Sequence, residues 1–180
     1  MTLEEFKVKV YSIIEEYSED ADELTEDEDL ALKMNSCINT IMNEMSRFKK
    51  INGYTTLEVN EGDNLAMSDI AEDMYQLNLI RGVDYETIQN RVLFNETGTA
   101  QVYYYKYPEQ ITNDTENDYV FELDTEAIEI MVYGVAGLLL ASDISNQYGQ
   151  IYTNLYREKI NTLDSRKAMA SVYIDGGINI

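Results

Sequence analysis

Apolar residues recur at every third or fourth position from the start of the chain. Leu3, Phe6, Val10, Ile13, Ile14 and Tyr17 draw one stripe, which is the mark of an amphipathic helix. The spacing predicts a first helix over residues 2–17, opened by a capping box between Thr2 and Glu5. The same period returns in Leu30, Met34, Cys37, Ile38, Ile41, Met45 and Phe48. It predicts a second helix, capped by Thr25 with Glu28, carrying Lys49 and Lys50 near its negative end and stopped by Asn52-Gly53.

From Tyr54 the pattern shortens to β-prone pieces at residues 55–59, 75–80, 85–88, 91–94 and 99–107, separated by turn residues. They predict a small antiparallel sheet, with residues 95–98 as the hairpin turn between the last two strands. Tyrosines within 102–107 put rings on both faces of that strand, so both faces are expected to be buried or in contact. The stretch 68–81 reads as a strand, although Ile70, Met74 and Leu77 also fit a helix. Pro108 ends the sheet, and a polar loop over 109–118 leads to residues 119–123.

Asp124 or Thr125 then caps a third helix over 126–141, apolar on nearly every side and therefore central. Gly134 and Gly137 are costly inside a helix, so each is expected to admit a close neighbouring backbone. After an interruption at 142–147, Ile144, Tyr148, Ile151, Leu155 and Tyr156 continue an apolar face in a fourth helix ending near residue 163. The two helices are expected to form a hairpin. The fold class expected is α+β, mainly α, in one domain of residues 1–180. It is a helical bundle of N-terminal helices (1–53) and a helical hairpin (124–163), with a small antiparallel β-sheet inserted between them (54–123) and a C-terminal tail (164–180).

Composition narrows the chemistry. The chain has 34 Asp and Glu against 13 Lys and Arg, a formal charge of -21, which disfavours adhesion to nucleic acid or anionic membrane. The absence of histidine removes the usual near-neutral acid/base catalyst and the commonest transition-metal ligand. Cys37 is the single cysteine, so no intrachain disulfide or multi-cysteine zinc site can form, and its setting among Met34, Ile38 and Ile41 reads as core. No secretory signal is read at the start of the sequence. The apolar run 127–141 is too short to span a bilayer and contains Glu129, so no membrane segment is expected.

Two acidic stretches invite a metal reading. Residues 15–29 hold ten acids and no base and are expected to be a solvated connector. As a calcium loop starting at Asp20 this run fails, with Leu24 at the fifth position, Thr25 in place of the turning Gly and Ala31 in place of the bidentate Glu. Asp114, Glu116 and Asp118 alternate in a loop. A carboxylate enzyme working through a divalent ion would need either set on rigid elements. No catalytic, cofactor-binding or metal residues are assigned, and no enzyme is expected.

The end of the sequence alternates Val172, Tyr173 and Ile174 before Gly176, Gly177, Ile178 and Ile180. This β-prone tail is either an edge strand of its own sheet or a strand offered to another chain. These seven residues are the candidate partner-binding set.

The order of elements resembles the head-to-tail connector (adaptor, head-completion or neck) proteins of tailed bacteriophages. The likeness lies in Thr125-Glu126-Ala127-Ile128-Glu129-Ile130-Met131-Val132-Tyr133-Gly134-Val135-Ala136-Gly137-Leu138-Leu139-Leu140, followed after a break by Tyr148-Gly149-Gln150-Ile151-Tyr152-Thr153-Asn154-Leu155-Tyr156. Two N-terminal helices, the tyrosine-rich insertion ending in Tyr105-Lys106-Tyr107-Pro108 and the Gly-Gly tail are compatible with it. The resemblance implies a non-enzymatic virion protein, assembled in the host cytoplasm, that docks beneath the phage portal protein. It further implies twelve copies in a ring, contact with a further neck or tail-completion protein, and a channel passing DNA without sequence-specific binding. Another class of reading, resting on charge alone, is an acidic DNA mimic or inhibitor that binds a basic host partner.

Overall fold

The computed structural model describes residues 1–14, 28–141 and 147–170, with side chains to Leu163. Two compact units emerge, one of residues 1–41 and 111–180, the other of residues 42–110. Of the expected connector 15–29, interruption 142–147 and tail 164–180, residues 15–27 with the Thr25 cap, 142–146 and 171–180 lie outside the described residues, whereas residues 147–170 are helical, seven residues past the expected end near 163.

In the first unit, α1 (Leu3–Ile13) begins with the expected capping box. The Glu5 amide donates to Thr2 Oγ1 at 3.2 Å and the Thr2 amide to Glu5 Oε2 at 2.9 Å. Its stripe buries Leu3, Phe6, Val10 and Tyr11, and the Phe6 ring packs on Phe121 at 5.1 Å between centroids. The incoming chain is held by backbone bonds from the Leu3 amide to the Tyr119 carbonyl and from the Glu4 amide to the Asn117 carbonyl. Helix α4 (Thr125–Leu140) starts at Asp124, whose carboxylate accepts from the Ala127 amide at 2.8 Å. Eleven of its 16 residues are buried, the all-round burial expected of a central helix.

Antiparallel to it runs α5 (Gln147–Ala170). Glycines set the spacing of this pair. A Cβ at Gly137 would lie 2.6 Å from Thr153 Oγ1 and 3.0 Å from the Thr153 backbone nitrogen, and one at Gly149 would lie 3.1 Å from Leu140 Cβ. The close approach expected at Gly137 is thus to backbone, whereas Gly134 faces the side chains of Tyr156 and Ile41.

Helix α2 (Glu28–Phe48) buries Leu30, Met34, Ile38, Ile41, Met42 and Met45, and Cys37 is half-buried beside that stripe. Its Asn39 side chain grips the returning chain twice: Nδ2 donates to the Ile111 carbonyl and Oδ1 accepts from the Ile111 amide, both at 2.8 Å. Asn39 and Ile111, which flank residues 42–110 in the sequence, are thereby held side by side within the first unit.

The second unit corrects the expected fold class. In place of one small sheet within a mainly helical bundle, it holds two three-stranded antiparallel sheets. One sheet has the order β1-β6-β3, from β1 (Ile51–Val59), β6 (Gly98–Lys106) and β3 (Met74–Arg81); the other is β2-β5-β4, from β2 (Asn64–Ala66), β5 (Arg91–Phe94) and β4 (Tyr85–Ile88). A four-residue helix, α3 (Met67–Ile70), leads toward β3. The sheets share a core of Val59, Ile80, Val92, Phe94, Val102 and Tyr104, among others.

Residues 95–98 are therefore not a hairpin turn. They carry the chain from one sheet to the other, with the Phe94 carbonyl and amide held by Gly62 and Asp63 across the turn that follows β1. The tight hairpin is β4–β5, turned by Gln89 and Asn90, with Gln89 at φ 57°. The expected helix stop at Asn52-Gly53 is likewise corrected, because α2 ends at Phe48 and both residues lie inside β1. Gly53 is directly opposite Tyr104, and a Cβ there would fall 2.4 Å from that ring. The glycine makes room for an aromatic ring lying over it.

Candidate functional site

The tyrosine strand β6 builds the most distinctive surface of the second unit. Because side chains alternate along a strand, Ala100, Val102 and Tyr104 point into the core, while Gln101, Tyr103 and Tyr105 point outward. The sequence expectation of rings on both faces is met, and the two faces differ. Inward, Tyr104 is buried, and burial together with the neighbouring Asp73 carboxylate, to which it is hydrogen-bonded, raises its phenol above the ordinary tyrosine range.

Outward, the registers Tyr54↔Tyr103 and Leu79↔Tyr103 bring three strands together around one ring. The Tyr54 and Tyr103 rings pack at 5.1 Å. Both outward rings of β6 carry a cation: Lys50 Nζ sits 4.1 Å from the Tyr105 centroid, and the Arg81 guanidinium 5.5 Å from that of Tyr103. Along the same strip Arg47 lies 5.9 Å from the Tyr107 ring and donates to its hydroxyl at 3.1 Å. Tyr75 joins Tyr105 and Tyr107, and burial followed by these two neighbouring phenols raises its pKa. Exposed cation–ring pairs of this kind contribute about 0.5–1 kcal/mol each. Tyr54 keeps 55% of its surface exposed and Leu79 37%.

A second surface lies on the helical hairpin. An open groove of about 580 Å³ runs along α4 and α5, floored by Ile130, Leu155 and Leu163 and rimmed by Glu126, Glu129 and Glu158. Lys159 lies over the Tyr133 ring at 5.1 Å, and Lys9 of α1 pairs with Glu129. Leu138, Tyr148 and Ile151 on the same helix pair are exposed, Tyr148 at 64%.

The candidate partner-binding residues Val172, Tyr173, Ile174, Gly176, Gly177, Ile178 and Ile180 lie outside the described residues. Cys37 has its thiol pKa pushed up by burial, partly opposed by Lys33, the reverse of what activates a nucleophilic thiol. Sequence reading singled out the tyrosines of β6 but missed their cations, because Arg81 reaches them only through the β1-β6-β3 order, Lys50 only through the pairing of the adjoining β1 with β6, and Arg47 from the end of α2. No helix among the described residues is long and apolar enough to cross a membrane. No family model matches the chain, and no curated protein matches it.

Proposed function

We propose that this chain is a non-enzymatic structural protein of a phage virion, a head-to-tail connector that docks on the portal ring and extends its DNA channel. The supporting observation is the α4–α5 hairpin, formed by the two segments that carry the resemblance. It is packed through Gly137 and Gly149 and leaves Leu138, Tyr148 and Ile151 in solvent. Exposed aromatic and aliphatic residues on a rigid helix pair suit a protein contact better than a reaction site. In this reading the tail residues Val172 to Ile174 add a strand to a partner. Carboxylates facing the channel repel phosphate and let the duplex slide.

The test is negative-stain microscopy of the protein mixed with the portal ring encoded by the same phage, beside a variant lacking residues 172–180. Extra density capping the portal, lost in the truncation, is the expected result. Density that survives truncation retains the connector and removes the role of the tail. Absence of density with both proteins rejects the connector and leaves the acidic inhibitor of a basic host partner as the better reading.

A further inference from the structure

We propose that the outward face of the β1-β6-β3 sheet docks a second copy of this chain, meeting the acidic α4–α5 groove of that copy. The inference rests on the assembly reading above in taking the partner to be another copy. The surfaces themselves are argued from charge and geometry.

The sheet face presents cations on an aromatic ground. Lys50 and Arg81 are exposed, stacked on Tyr105 and Tyr103, and among the described residues neither has a carboxylate within ion-pair distance. That is unusual in a chain where acids outnumber bases 34 to 13. Tyrosine and arginine are among the residues that dominate binding energy at protein interfaces. The ring faces of Tyr103 and Tyr105 are already occupied by cations, which leaves little for a nucleic-acid base to stack upon. What the strip offers instead is charged N–H donors, and these select carboxylates.

The chain itself supplies the complementary surface. Residues 42–110 carry six of the 13 bases and eleven of the 34 acids, so the helical unit holds seven bases against 23 acids. On that unit the groove is lined by Glu126, Glu129 and Glu158 against one lining cation, Lys159, with Glu129 already paired to Lys9, and its apolar residues Ile130, Leu155 and Leu163 would receive the Tyr54 and Leu79 side chains. Two different patches meeting in this way make a heterologous contact, the kind that propagates from copy to copy.

Sedimentation velocity on the full chain tests it, at about 0.15 M salt, where a Debye length of about 8 Å screens the overall like-charge repulsion but spares pairs in contact. The native protein should associate with rising concentration. Lys50→Glu with Arg81→Glu should weaken association by about tenfold or more, and so should Glu126→Lys with Glu158→Lys. The pairing of these two results is decisive, because overall repulsion alone would make the second variant, with its smaller net charge, associate better. All four changes together should restore association. The proposal is overturned by a native protein that stays monomeric, by a Lys50/Arg81 variant that associates as tightly as native, or by failure of the fourfold exchange to rescue. Binding of oligothymidylate that is lost in the Lys50/Arg81 variant overturns it in favour of a nucleic-acid platform. Portal density seen alongside any of these failures shows that this interface, and not the connector reading, is at fault.

Discussion

Gly134 and Gly137 look equivalent in the sequence, and the structure separates them. A methyl group at Gly137 meets Thr153 Oγ1 at 2.6 Å and its backbone nitrogen at 3.0 Å, which cannot step aside, while one at Gly134 meets only side chains, the buried Tyr156 ring at 2.9 Å and Ile41 Cδ1 and Cγ2 at 3.0 Å, which can shift more readily than backbone. Replacing a helical glycine by alanine gains about 0.5–1 kcal/mol of backbone entropy, and overpacking costs about 1–3 kcal/mol. Gly137→Ala should therefore destabilise by about 1–2 kcal/mol, and Gly134→Ala by clearly less. Urea denaturation of the two variants checks the order. Tyr104 and Tyr75 make a second prediction. Their folded pKa values are raised, so the stability they contribute is fully present below the unfolded value of about 10 and is lost as pH climbs through the folded values. A tyrosinate absorbance titration followed in parallel with circular dichroism should show a late-ionising class whose appearance coincides with loss of structure. Early, independent ionisation of every tyrosine would remove the burial argument.

At the scale of elements, helices were legible because a stripe such as Leu3-Phe6-Val10 needs only one local period, and the caps at Thr2 and Asp124 are local too. Asp124→Ala should cost about 1 kcal/mol by freeing the Ala127 amide, measured by thermal melting. The sheets were less legible, for three physical reasons. Two register irregularities in β3, between Met74 and Gln76 and between Leu77 and Leu79, break the period of two, so residues 68–81 resembled a helix as much as a strand. A glycine inside a strand reads like a stop, yet Gly53 is there because the Tyr104 ring needs its space. Gly53→Val should expel that ring and destabilise by about 1–3 kcal/mol, with hydrogen exchange accelerating first in β1 and β6. Finally, no local pattern says that β5 and β6 join different sheets. The cationic strip follows from the strand pairing and from where α2 ends, and so it too was hidden, while the tyrosines that underlie it were visible from the start.

For the whole molecule, a formal charge of -21 is a standing self-repulsion. Raising salt from about 0.01 M to 0.1 M shortens the Debye length from about 30 Å to about 10 Å. The melting temperature should rise by about 3 °C or more over that range, corresponding to about 1 kcal/mol for a chain of this size. An unchanged melting temperature would mean that the acids already have counter-charges.

The Asn39 grip on Ile111 has a reach beyond stability. One amide side chain accepts from and donates to the chain at the point where it returns, and Gln110 donates to Asn43 at 3.1 Å, so the two ends of residues 42–110 are held together by bonds on both sides of the boundary. Changes of length in the turns between the strands of residues 51–106 leave that closure in place.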